Sequence, residues 1–187
     1  NAIEQNDYSR AWGELGKKLP KPKAVLCVSA HWLTEGTGVH IAKKPKTIHD
    51  FWGFPEELYE IEYGCPGAPE YAKETQALVK KTRVESDEEW GLDHGTWVVM
   101  VHLFPKADVP VFQLSIDFPK PGTFHYELGR ELATLRERGV LIVGSGNIVH
   151  NLGRIAFDPR AKPFDFALEF DELSKNLLEK GDDTSLV

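Results

Sequence analysis

Three apolar segments, separated by helical patterns, constrain the fold of this chain most. Ala24–Ala30 (AVLCVSA) is apolar almost without interruption, and Val109–Ile116 and Val140–Val143 have the same character. Such runs are typical of strands that are buried on both faces of a parallel sheet. Helical periodicity marks the segments around them: Ser9–Leu19, Pro69–Lys81, Gly95–Leu103, Thr123–Arg138 and Phe164–Lys180. The alternation predicts an α/β fold, a three-layer sandwich whose central, mainly parallel sheet is flanked by helices.

Length and charge narrow the class of protein further. The 187 residues predict a single domain spanning residues 1–187. A net charge of −7 disfavours nucleic acid as a partner, and no apolar run reaches the roughly 20 residues that cross a bilayer. Cys27 and Cys65 are too few for a disulfide framework, so we expect reduced thiols and a cytoplasmic protein. The sequence predicts no particular oligomeric state.

Histidines and an aspartate follow the predicted core strands. His31 comes directly after Ala30, His150 lies shortly beyond Val143, and Asp117 follows Ile116. In open α/β sheets, ligands bind outside the carboxyl ends of the strands. Two imidazoles at that edge predict a metal site or an acid–base site.

Familiar catalytic motifs are missing from the sequence. The GSGNIV segment from Gly144 lacks the third glycine of a dinucleotide fingerprint, because Val149 occupies that place. The chain has no G-x-S-x-G, H-E-x-x-H or Cys-x-x-Cys motif. His94 is compatible with a buried structural role or a functional one, and His49 and Asp50 with substrate contact or simple exposure.

Five segments, in order along the chain, together resemble one enzyme family. They are VSAHW (His31), TIHDFWGFP (His49), WGLDHGTW (His94), PVFQLSID (Asp117) and GSGNIVHNL (His150). The chain resembles the class III extradiol ring-cleavage dioxygenases, and within them the 4,5-DOPA-dioxygenase-like branch.

The resemblance implies a role for each motif histidine. His31 matches a metal ligand, and His150 matches a residue described as a metal ligand or as the acid–base group. His94 matches a histidine that handles protons or oxygen, and His49 with Asp50 matches a segment near the substrate. It also implies that further ligands lie in segments before Asn1 and after Val187.

The activity implied is the opening of a catechol ring, such as that of DOPA, by O2. Non-haem Fe(II) would support this chemistry, whereas Zn(II) in the same site is redox-inert. Two alternatives stay open: a zinc-dependent hydrolase with Asp93 or Asp117 as general base, and a non-catalytic binding module. The sequence does not specify the catechol's side chain.

Overall fold

The central sheet has five strands and is mainly parallel. A computed structural model describes residues 2–149, 151–154, 158 and 160–187. The strands are β1 (Ala24–Thr34), β2 (Thr37–His40), β3 (Val84–Asp87), β4 (Val111–Asp117) and β5 (Val140–Ser145). Their order is β3-β2-β4-β1-β5, and among the described residues only the β2–β4 pairing is antiparallel. The three predicted apolar strands, β4, β1 and β5, are therefore neighbours in the sheet.

The chain divides into two compact units, Asn1–Ser145 and Gly146–Val187. The first unit contains the sheet and the helices α1 (Asp7–Lys18), α2 (Glu56–Tyr59), α3 (Pro69–Leu78), α4 (His94–Leu103), α5 (Gly122–Leu132) and α6 (Thr134–Glu137). The second contains a 3₁₀ turn (Leu152–Arg154), α7 (Asp165–Lys180) and α8 (Asp183–Leu186). A single domain over the whole chain stays a prediction. Among the described residues, no helix combines the length and apolarity of a membrane span.

Each face of the sheet packs against its own apolar core. Leu26 and Phe112 belong to one core, which they share with Leu128 of α5. The adjacent Val25 belongs to the other core, together with Trp97 of α4. Successive side chains of a strand point to opposite faces, so the central strands must be apolar on both sides. This arrangement confirms the predicted α/β fold with helices on both faces of the sheet.

Two predicted boundaries are wrong, and tertiary contacts explain both. β1 continues past Ala30 to Thr34, because its pairing with β4 resumes at Leu33. The helix predicted to reach Lys81 ends at Leu78, and the N–H groups of Lys80 and Lys81 donate to the Glu131 carboxylate instead.

The sequence patterns also mispredicted one strand and one helix. β3 was not predicted, since its sequence VESD is mostly polar, as an edge strand can be. The helix predicted over Thr123–Arg138 divides into α5 and α6 at Ala133, whose N–H donates to the carbonyl of Arg130 in a tighter turn.

Candidate metal centre

An irregularity in β1 carries His31. Val28 pairs with Leu114 and Leu33 with Ile116, so five steps along β1 match only two along β4. The residues between Val28 and Leu33 therefore leave the regular ladder with β4, as in a β-bulge, which re-aims side chains. The side chain of His31 is half-buried in this segment. The histidine thus lies at a break within the strand, rather than after its end as predicted.

The first turn of α4 brings His94 to the same place. Asp93 caps this helix by accepting a hydrogen bond from Thr96 N at 3.1 Å, and His94 is its first residue. The ring centroids of His94 and His31 are 3.9 Å apart. Two histidines 63 positions apart in sequence are therefore neighbours in the fold.

Asp50, from the loop between β2 and α2, lies against both imidazoles. Its Oδ1 accepts a hydrogen bond from the backbone N–H of His94 at 2.8 Å, which satisfies a donor that a helix start leaves open. The same oxygen is 2.9 Å from His94 Nδ1, and Oδ2 is 3.6 Å from His31 Nδ1. The Asp50 carboxylate therefore connects the two histidines.

Asp50 is held in its charged form. Burial raises the pKa of the Asp50 carboxyl. The side chain and the backbone N–H of His94 together lower this pKa by more, so the net pKa lies below its ordinary value. His94 Nδ1 is buried, and its approach to Asp50 lacks hydrogen-bond geometry, so it has no hydrogen-bond partner among the described residues. An ionised carboxylate and a buried nitrogen of this kind suit a cation.

The donor set fits a divalent transition metal. One ligand atom from each of His31, Asp50 and His94 lies within 4.8 Å of the others. Two imidazoles and a carboxylate are the donors that non-haem Fe(II) sites use, and Zn(II) accepts the same types. The described residues therefore contain a candidate non-haem metal site at the sheet.

Buried polar residues that the sequence analysis did not identify lie next to this cluster. Ser29 and Gln113 are fully buried and both hydrogen-bond to the Asp93 carboxylate. Their separation from Asp93 by 64 and 20 positions left no local sequence signal.

The carboxylates suggested for a hydrolase are occupied by structural contacts. Asp93 is fully buried and accepts hydrogen bonds at both oxygens. Asp117 is buried at the end of β4, where its Oδ1 accepts from Gly36 N at 3.1 Å in the turn after β1. Neither is positioned as an accessible general base.

His49 does not belong to the cluster. Its Nε2 is 3.0 Å from the carbonyl oxygen of Ile61, and its ring lies edge-on to Trp97 at 5.5 Å. Phe51 packs against His49 on one side and edge-on against His94, at 5.5 Å, on the other. Phe51 therefore contacts both His49 and His94, and substrate contact by His49 or Asp50 stays a prediction.

The neighbouring aromatic residues fall into two groups. Trp32 is buried and stacks on Trp90, with ring centroids 5.8 Å apart. Trp52 and Phe54 are exposed in the loop that follows Asp50.

His150, predicted as a ligand and acid–base residue, lies outside the described residues, so its position and the expected approach to His31 stay predictions.

The fold and the cluster define an α/β protein with a candidate histidine–carboxylate metal site at its central sheet. A family model described as the catalytic LigB subunit of aromatic ring-opening dioxygenase matches residues 3–186. The chain belongs to this family of aromatic ring-opening dioxygenases. This membership confirms the predicted family, its fold and its oxidoreductase class, with a small aromatic molecule and O2 as the reactants.

Curated proteins similar to this chain carry names of the same activity. The 4,5-DOPA dioxygenase extradiol of Escherichia coli (strain K12) is 46% identical over 183 residues, which are 97% of this chain and 68% of that protein. The protein of the same name from Beta vulgaris is 47% identical over 133 residues, covering 70% of this chain and 50% of its own length. This chain thus spans between half and about two thirds of these relatives.

A solved structure shares the fold. The crystal structure of an uncharacterized protein from Escherichia coli K12 superposes with a TM-score of 0.81 at 41% identity. The match covers 94% of this chain and 67% of that one.

Proposed function

We propose that this protein opens the ring of a catechol such as DOPA by extradiol cleavage with O2. The observation that carries the proposal is the cluster of His31, Asp50 and His94 at the sheet, in a chain of the ring-opening family. The names of the relatives from Escherichia coli and Beta vulgaris support DOPA as the first substrate to test.

Of the three residues in the cluster, we propose His31 as a ligand of the non-haem metal, with His150 as a second ligand, and we propose that Asp50 and His94 line the site rather than bind the metal. Fe(II), when bound, would supply the redox chemistry for a reaction of catechol with O2, whereas Zn(II) is redox-inert. Asp50 Oδ2 lies 3.6 Å from His31 Nδ1, and we propose that this carboxylate orients the His31 imidazole for metal binding. Metal-bound histidines commonly present their second ring nitrogen to a carboxylate, which fixes the orientation of the ring.

His94 and His150 are the residues that we propose for proton transfer. An imidazole with a pKa near neutrality can accept a proton from a catechol hydroxyl and return it later in the reaction. Asp50 accepts a hydrogen bond from the backbone N–H of His94 and lies 2.9 Å from His94 Nδ1, and we propose that it helps to hold this residue in place. A positioned acid–base group of this type contributes about 10²–10⁴-fold to a rate.

The loop from His49 to Phe54 is our candidate for substrate contact. Phe51 packs edge-on against His94, so an aromatic ring bound beside that histidine would meet an apolar surface. His49 and Asp50 are the polar residues of this loop that we propose to contact or orient the substrate. The two buried free thiols, Cys27 and Cys65, support a cytoplasmic location as a further proposal.

Oxygen uptake by the full-length protein tests the proposed function. The protein is loaded anaerobically with Fe(II), then mixed with O2 and a panel of catechols that includes DOPA. We expect O2 consumption and a yellow ring-opened product with Fe(II), and none with Zn(II). Hydrolytic activity with Zn(II), or metal binding without any turnover, would instead support the hydrolase or the binding module.

A histidine variant outside the cluster serves as the matched control. His125 contacts the Asp117 carbonyl oxygen at 3.2 Å and is not part of the His31 group. We expect His125→Asn to retain turnover and His31→Asn to abolish it. Equal activity in the two variants would remove His31 from the site.

A further inference from the structure

The Asp93 carboxylate is fully buried, and hydrogen bonds compensate its charge from four directions. Oδ1 accepts from Ser29 Oγ at 2.7 Å and Thr96 N at 3.1 Å. Oδ2 accepts from Gln113 Nε2 at 2.8 Å and from the indole N–H of Trp90 at 3.2 Å. A buried charge is costly unless it is satisfied in this way. Asp93 is thus a fixed junction in the fold.

This junction joins the two backbone segments that carry the histidines. Ser29 lies in the irregular part of β1, and its Oγ accepts a hydrogen bond from the backbone N–H of His31 at 3.2 Å. His94 follows Asp93 directly at the start of α4. One short hydrogen bond, from Ser29 to Asp93, therefore connects the backbone at His31 to the backbone at His94.

Gln113 fixes the junction to the neighbouring strand. Its Oε1 accepts from Asp93 N at 3.1 Å, while its Nε2 donates to the Asp93 carboxylate. The amide thereby holds both the backbone and the side chain of Asp93 against β4. Three elements, β1, β4 and α4, meet at one buried carboxylate.

The packing at Gly95 leaves this junction no room to shift. A Cβ added at Gly95 would clash with Ser29 Oγ, and would lie 3.0 Å from His31 Cδ2 and 3.2 Å from Asp93 Oδ1. The α4 backbone therefore lies directly against the Ser29–Asp93 hydrogen bond and the His31 ring. The imidazole spacing depends on the same few atoms.

We propose that Ser29, Asp93 and Gln113 form a positioning network that sets the spacing between the His31 and His94 imidazoles. None of the three is a catalytic residue, because each acts through the backbone of a histidine. The role of this network in metal binding rests on the proposed function. The spacing between the His31 and His94 imidazoles, however, can be measured without metal or substrate.

The first test compares Ser29→Ala with Ser115→Ala in the full-length protein. Both serines are buried in the sheet, and Ser115 hydrogen-bonds Gly38 N at 2.7 Å rather than the Asp93 junction. In metal-free protein, ring-to-ring nuclear Overhauser effects between His31 and His94 report their spacing. We expect these signals to weaken in Ser29→Ala and to persist in Ser115→Ala.

Zn(II) affinity, measured by competition with a chromogenic chelator, is the second readout. Loss of groups that orient ligands typically weakens metal binding by about 10–100-fold, and we expect about tenfold for Ser29→Ala. The inference would be overturned if Ser29→Ala kept the wild-type Overhauser effects and Zn(II) affinity. It would also be overturned if Ser115→Ala lost as much of both as Ser29→Ala does. A wild-type protein that binds Zn(II) but opens no catechol ring would refute only the proposed function.

Moving the carboxylate from position 93 to position 113 distinguishes a role in positioning the histidines from a role in the stability of the fold alone. Asp93→Asn places an amide where four donors converge, so we expect reduced stability and weaker ring contacts. Adding Gln113→Glu supplies acceptors for the new amide and for the backbone N–H at position 93. We expect the double variant to recover histidine contacts and Zn(II) affinity relative to Asp93→Asn. No recovery in a double variant that folds would contradict the network.

Discussion

Replacement of Gly95 by alanine tests how tightly the candidate site is packed. Alanine favours a helix over glycine by about 1 kcal/mol, so propensity alone predicts a more stable protein. The added Cβ, however, would clash with Ser29 Oγ and lie 3.0 Å from His31 Cδ2. Overpacking of this kind costs about 1–3 kcal/mol, so the clash outweighs the propensity. We expect Gly95→Ala to be destabilised by up to about 2 kcal/mol.

Gly129 supplies the matched control for this experiment. It lies in α5, is exposed, and has no atom within 4 Å of an added Cβ among the described residues. Gly129→Ala should therefore gain about 0.5–1 kcal/mol from helix propensity. Urea unfolding of wild type and both variants measures the two changes, and Zn(II) competition measures the site. The packing argument would be refuted if Gly95→Ala were as stable as Gly129→Ala and bound Zn(II) with wild-type affinity.

Three further predictions concern single side chains. Asp50→Asn should weaken Zn(II) binding by about 10–100-fold, since it removes the charge beside two imidazoles; wild-type affinity by chelator competition would contradict this. His150→Ala in iron-loaded, full-length protein should lower turnover by at least about 10²-fold, with iron content falling in parallel if it is a ligand; full iron with unchanged turnover would exclude both roles. Burial lowers the pKa of His40 in the fold, so the unfolded chain binds its proton first as pH falls below about 6.5, and stability should decline there. Urea midpoints at neutral and mildly acidic pH should show a smaller decline in His40→Gln, and an unchanged decline would contradict the assignment.

The central sheet could be predicted because its strands are apolar on both faces. β1, β4 and β5 are neighbours, and Val25 and Leu26 enter opposite cores. β3 was missed because an edge strand with one neighbour needs no such pattern, and three of its four residues are polar. Periodicity therefore detects strands that are covered on both sides more readily than strands at an edge.

Three of the residues that the motifs named, His31, Asp50 and His94, lie together in the structure, but their arrangement could not be predicted. The family resemblance placed Asp50 near the substrate, whereas the structure places its carboxylate against the His31 and His94 imidazoles. Its contacts cross from the β2–α2 loop to α4 and β1, and such long-range contacts leave no spacing signal. The break in β1 register was hidden for the same reason, since it depends on pairing with β4.

Isotope labelling of the oxygen atoms tests the central claim most directly. Full-length, Fe(II)-loaded protein is supplied with ¹⁸O₂ and DOPA, and the ring-opened product is trapped at once and analysed by mass spectrometry. Extradiol cleavage at a site containing His31 predicts that both labelled atoms enter the product, and that His31→Asn forms none. A product without label, or labelled product from His31→Asn at the wild-type rate, would contradict the account.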